Sequence, residues 1–281
     1  MLAVALALGA TLSWGVSDFL GGLMTRRMAV LAVICVSQTA GLTVIAIAVL
    51  VAGEPAPDAA FIPYAALAGL AGVCGLAAFY SGLAAGKMSV VAPISSMAVV
   101  VPVVVGIATG DRPSAVQAVG ALLGITGILL ASRESADEAG DTTRMATGVG
   151  LALLSGLGFG FFFVFMDVAA DHDPLWANLA NRGTSLSLAL LALAMLRPSL
   201  QGLGRPALPA LVTIGVLEMA ANVSFAYAAT EGLLSLTSVI SALYPVVVVF
   251  LSWLLLHERL ERGQKVGIAA ALAGVALIAG G

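Results

Sequence analysis

Residues 111–130 read DRPSAVQAVGALLGITGILL, and residues 258–277 read ERLERGQKVGIAAALAGVAL. Both fit (D/E)-R-x4-Q-x-V-G-x6-G-x2-L, at a constant offset of 147. Just upstream, residues 79–95 (FYSGLAAGKMSVVAPIS) match residues 225–241 (FAYAATEGLLSLTSVIS) at an offset of 146. The shared positions there are Phe79/Phe225, Gly86/Gly232, Ser89/Ser235, Ile94/Ile240 and Ser95/Ser241. Arg, Gln and regularly spaced Gly are not generic choices for a lipid-facing helix. The chain therefore reads as one unit written twice.

Each copy is apolar almost throughout. The 281 residues are 60% hydrophobic and only 10% charged, with a mean hydropathy of +1.09. Soluble domains carry about 25% charge, so this surface is built to face lipid. A spanning helix needs about 20 apolar residues to cross ~30 Å of hydrocarbon. Turn and charge signals cut the chain into ten such pieces, at 2–24, 29–51, 61–84, 88–109, 114–132, 147–169, 174–196, 207–229, 235–256 and 264–280. Residues 1–132 hold the first five and residues 147–281 the second five, with a polar linker at 133–146. The N-terminus lacks a basic region before its apolar run, and is read as a retained span rather than a cleaved signal.

Five is odd, so the second copy must enter the bilayer from the opposite side. The expected fold is an all-α membrane protein of ten transmembrane helices, arranged as two inverted five-helix repeats. Such halves can rock about a site at the midplane. Loop charge gives the orientation. Arg26, Arg27, Lys87, Arg133, Arg144, Arg197, Arg205, Arg259, Arg262 and Lys265 fall on one face, and Arg112 alone on the other. The positive-inside rule puts the basic face in the cytoplasm and both termini outside, for a multi-pass protein of the plasma (inner) membrane.

Several classes are excluded. Net charge is -3, so there is no basic footprint for nucleic acid. No GxxxxGK(S/T) loop marks an ATP-driven motor, and no HExxH or paired-cysteine motif marks a metal site. No cofactor is expected. Cys35 and Cys74 both fall in apolar runs and read as small core residues. His172 and His257 are loop residues without a ligand cluster.

Ionisable residues at membrane depth cost about 2.5–3.5 kcal/mol on insertion scales and call for a reason. Glu218 sits mid-way along span 8, and Arg182 at a similar depth in span 7. Together they read either as a substrate or proton site or as a structural ion pair. Asn222 lies one helical turn from Glu218, and Asn178 one turn from Arg182, with Asn181 beside it. At the repeat offset, Gly72 matches Glu218 and Val36 matches Arg182. The polar cluster thus has no copy in the first half. Trp14 and Asp18 form another one-turn pair in span 1: Trp14 as cavity wall or packing residue, Asp18 as site or solvated gate. Pro93, Pro102 and Pro245 can free helix carbonyls at a site or simply kink a helix. Tyr80 and Tyr227 read as aromatic-belt residues near opposite faces.

Trp14-Gly15 in the first span, Tyr244-Pro245 followed by Glu258 and Gly267, and the small-residue helices resemble the drug/metabolite transporter superfamily, in its EamA-like branch. The first copy departs from the pattern: Ala98 stands opposite Pro245, Pro102 lies four residues later, and Asp111 replaces Glu. The resemblance implies a ten-helix carrier of small metabolites or drugs, often outward, with a site lined by helices 1, 3, 4, 6, 8 and 9. It also implies cytoplasmic termini for many relatives, against the loop charge here. The leading expectation is a secondary transporter, not an enzyme, that exports small organic solutes by alternating access, with protons as a candidate coupling ion. A non-transporting scaffold or sensor and an intramembrane enzyme are the alternatives. Expected partners are a small-molecule solute and membrane lipid.

Overall fold

The computed structural model describes residues 1–85, 95, 97–131, 142–256 and 262–281. Its helices are α1 (Leu2–Thr25), α2 (Val30–Ala52), α3 (Ile62–Ala85), α4 (Val100–Thr109), α5 (Ala115–Ala131), α6 (Thr142–Ala170), α7 (Pro174–Leu196), α8 (Leu208–Glu231), α9 (Leu234–Ser241), α10 (Tyr244–Leu256) and α11 (Arg262–Gly280). Short 3-10 turns at Ala59–Phe61 and Met97–Val99 lead into α3 and α4. Among the described residues there is no strand.

Eight of these segments are long and apolar enough to cross a bilayer, and two shorter apolar helices, Met97–Thr109 and Ala115–Leu130, accompany them. The 24 residues of α1 reach ~36 Å at 1.5 Å per residue, enough for the hydrocarbon core. Large apolar side chains such as Leu50, Leu122 and Leu191 point outward, as they must where the solvent is lipid. The chain is an all-helical, multi-pass membrane protein.

The punctuation in the sequence ends the helices for identifiable reasons. Asp173 caps α7, accepting from the N–H groups of Leu175 and Trp176 at 2.8 Å each, with Pro174 at the first helical position. Gly53 closes α2 in the left-handed conformation that glycine adopts without a Cβ penalty. Span 9 divides into α9 and α10 just before Tyr244-Pro245, because Pro245 has no N–H to continue the ladder. The Ile240 carbonyl at that break accepts from the Thr11 hydroxyl of α1 at 2.6 Å. The first half has its 3-10 turn at Met97–Val99, across the position equivalent to Pro245, although Ala98 stands there.

Other expectations need correction. Helix α6 begins at Thr142, inside the stretch read as polar linker, and 132–141 lie outside the described residues. So do Gly86, Ser89, Pro93, Ile94, Arg133, His257 and Glu258. Cys74 is exposed on the outer side of α3, not in the core, while Cys35 is buried. Tyr80 is not a belt residue: it is 2% exposed, because its ring packs against α1 over Gly21, where a side chain would leave it no room. Tyr227 remains surface-exposed.

The helices pack in a recurring pattern. The most extensive pairings are α3 with α6, α5 with α11 and α1 with α8. Helix α2 lies against α7 and α8, and α7 against α3. Loops sort to two faces: His172 of the α6–α7 loop approaches Asp58 of the α2–α3 loop at 3.6 Å. On the other face, Gly202 between α7 and α8 sits against the Arg27 carbonyl.

Candidate functional site

A cavity of about 60 Å³ opens where α1, α2, α3, α6, α7 and α8 converge beside the α9–α10 break. A water occupies roughly 10–15 Å³ by this measure, so the space suits a few waters or a small solute. Its lining comes from the middle of the helices: Trp14 and Asp18 of α1, Gln38 of α2, Gly72 and Leu76 of α3, three phenylalanines of α6, Asn181, Arg182 and Ser185 of α7, Glu218 and Asn222 of α8, and Tyr244 at the break.

The polar side is organised around Arg182, which is only 1% exposed. Its Nη1 donates to Glu218 Oε1 at 3.1 Å and also to Gln38 Oε1. The Gln38 amide donates to the same Glu218 oxygen at 3.4 Å. Removing a guanidinium from water costs several kcal/mol, which an ion pair offsets only when hydrogen bonds complete it. Here Gln38 helps to complete it. Close helix approach makes the arrangement possible. A Cβ on Gly41 of α2 would lie 3.3 Å from Arg182 Nε and 3.2 Å from the Gly215 carbonyl of α8. Arg182 Nε and Nη2, and Glu218 Oε2, are buried without a hydrogen-bond partner among the described residues.

The opposite side is aromatic. The Trp14 ring meets Phe163 at 5.7 Å and Phe162 at 6.1 Å, both near-perpendicular, and Tyr244 at 6.5 Å. Such pairs each add about 0.5–1.5 kcal/mol beyond area burial. Trp14 Nε1 donates to Asn222 Oδ1 at 3.0 Å, which ties the aromatic side to the polar one. At Gly72 a Cβ would stand 3.3 Å from the Phe162 ring.

Of the residues singled out from sequence, Trp14, Asp18, Arg182, Glu218 and Asn222 line one cavity. Asn178 does not line it. It is fully buried and donates back to the Pro174 carbonyl of its own helix at 2.8 Å, while Asn181 takes the place at the cavity. Asp18 makes no hydrogen bond or ion pair among the described residues. Sequence reasoning missed Gln38, although an amide inside VICVSQTAGL was a signal of the same kind as Asn222. It also missed the phenylalanine run GFGFFFVF at 158–165. The resemblance had implied helices 1, 3, 4, 6, 8 and 9 as lining. Among the described residues α4 contributes none, and α2 and α7 contribute the central polar groups.

Comparison with known proteins points one way. Two curated relatives, each named an uncharacterized transporter, come from Helicobacter pylori strains J99 and 26695. They are 32% and 31% identical to this chain over 135 residues, which is 47% of this chain and 44% of theirs. The match thus spans less than half the length of these relatives. A solved crystal structure shares the fold, with a TM-score of 0.80 at 18% identity, covering 98% of this chain and 95% of that one. The model of the EamA-like transporter family matches residues 1–133 and again residues 146–280. With nearly its whole length so matched, the chain belongs to the EamA-like transporter family.

Proposed function

We propose that this protein is a secondary transporter that exports small organic solutes across the plasma membrane by alternating access. The observation that carries this reading is the mid-depth cavity with a buried Arg182–Glu218 pair between helices of both halves. Intramembrane charges are functional by default, and this pair borders a space that a small solute can enter. In this reading the chain crosses the membrane ten times, with α9 and α10 together forming one span. Residues 1–132 and 147–281 form two inverted repeats. The packing supports that duplication. Exchanging the first five spans with the second five turns α1–α8 into α3–α6 and α2–α8 into α3–α7, while α5–α11 and α2–α7 map onto themselves. Rocking one half against the other would expose the cavity to each side in turn.

Glu218 is the group whose charge the transport cycle would use. Its Oε1 is held by Arg182 and Gln38, and loosening that contact in one conformation would free a carboxylate for a proton or a solute. The test is a solute-uptake screen in vesicles reconstituted with the full chain, with and without a pH gradient. At least one small organic solute should accumulate. Glu218→Gln should insert and purify normally yet lose that flux or its dependence on the gradient. Full flux with unchanged gradient dependence in Glu218→Gln would reduce the pair to architecture.

A further inference from the structure

Three charged groups line the cavity, and they are not equivalent. The Arg182 Nη1 is engaged by Glu218 at 3.1 Å and by Gln38. Its Nε and Nη2 are buried and make no hydrogen bond among the described residues. The guanidinium thus already holds the chain's own carboxylate on one of its nitrogens. Asp18 stands differently. It borders the same space, yet among the described residues no cation or hydrogen-bond donor meets it. With all three groups ionised, two carboxylates face one guanidinium, and the uncompensated charge is negative. A lone carboxylate at membrane depth is costly unless a proton or another cation joins it.

The rest of the wall suits such a partner. Trp14 is one turn from Asp18 on α1, and its ring stands 5.7 Å from Phe163, 6.1 Å from Phe162 and 6.5 Å from Tyr244. Aromatic rings attract a cation held within about 6 Å of the centroid, Trp most strongly, and more so away from water.

We infer that the transported solute is an organic ammonium cation, with its positive charge docked on Asp18 and its apolar part against Trp14 and the α6 phenylalanines. Asp18 thereby sets specificity. This rests on reading the cavity as the transport site, so binding and flux are measured separately. The purified full chain is titrated calorimetrically with phenyltrimethylammonium, phenylacetate and phenylalanine, three probes of similar ring and different charge. Phenyltrimethylammonium should bind at least tenfold more tightly than either of the others. Asp18→Asn should weaken it at least tenfold, and Asp18→Glu should retain most of the affinity.

Tighter binding of phenylacetate or phenylalanine overturns the inference, as does unchanged phenyltrimethylammonium affinity in Asp18→Asn. If Asp18→Asn does not purify as a monodisperse protein, the rank order of the three probes on the unaltered chain decides. Cation binding without flux in vesicles supports the Asp18 site and counts against transport. Flux of other solutes, without cation binding, keeps transport and discards the cation.

Discussion

Arg182 and Glu218 illustrate why a buried pair must be judged by removing one partner and then both. Arg182 is 1% exposed and Glu218 15%. Deleting the guanidinium alone leaves a carboxylate in a space shielded from water. Arg182→Met should therefore destabilise the protein by about 3 kcal/mol, whereas Arg182→Met with Glu218→Met should restore most of that loss. Denaturant unfolding in detergent micelles measures both. A double variant that is as unstable as the single one would show that packing around Arg182, rather than charge, is at stake. The importance of these two residues was legible in the sequence because charge is rare in an apolar run. Gln38 was less legible, since a neutral amide stands out less, and its role depends on α2 reaching the centre. That approach depends on Gly41 and Gly215 meeting across helices far apart in the chain. Asn178 lies one turn from Arg182 but off the cavity: its Nδ2 donates to the Pro174 carbonyl, and its Oδ1 is buried without a hydrogen-bond partner among the described residues.

At the scale of elements, α5 and α11 hold the molecule together without lining the cavity. A Cβ on Gly127 would lie 2.7 Å from the Gly267 carbonyl, and one on Gly120 would lie 2.8 Å from the Gly274 carbonyl. Backbones this close gain packing contacts that no larger side chain permits. Gly127→Leu should abolish recovery of monodisperse protein, while Gly150→Leu, where a Cβ meets nothing within 4 Å, should purify like the parent. Equal yields for the two would sink the packing argument. The broken span supplies a second case. Asp111 Oδ2 accepts from the Ser235 N–H at the start of α9 at 2.7 Å, in the manner of a side-chain cap reaching over from another loop. Asp111→Ala should lower stability by about 1 kcal/mol, read from the thermal midpoint. Turn and charge signals in the sequence placed most described spans to within a few residues, because charged and turn residues bound them. They gave span 9 as one helix, since the interruption at Ala242–Leu243 is as apolar as its flanks.

For the whole molecule, the question left to geometry and charge is which face meets the cytoplasm. The two sets of loops are physically sorted. Asp58 and His172 bring the α2–α3 and α6–α7 loops together, and Gly202 against Arg27 brings together the α1–α2 and α7–α8 loops. The first set carries Glu54, Asp58, Asp171 and Asp173, and the second Arg26, Arg27, Arg197 and Arg205. Short loops rich in Lys and Arg stay on the cytoplasmic side, which argues for the second set inside. Membership in the family does not decide the matter, because the proposed inverted repeat would be nearly indifferent to being turned over; the charge asymmetry breaks the tie. The test uses single cysteines in a background with Cys35 and Cys74 replaced by alanine. Pro55→Cys, in the acidic set, should react with a membrane-impermeant maleimide in intact cells. Ser199→Cys, in the basic set, should react only after the membrane is permeabilised. The opposite pattern would place the basic loops outside, and would require that some feature other than loop charge had fixed the direction of insertion.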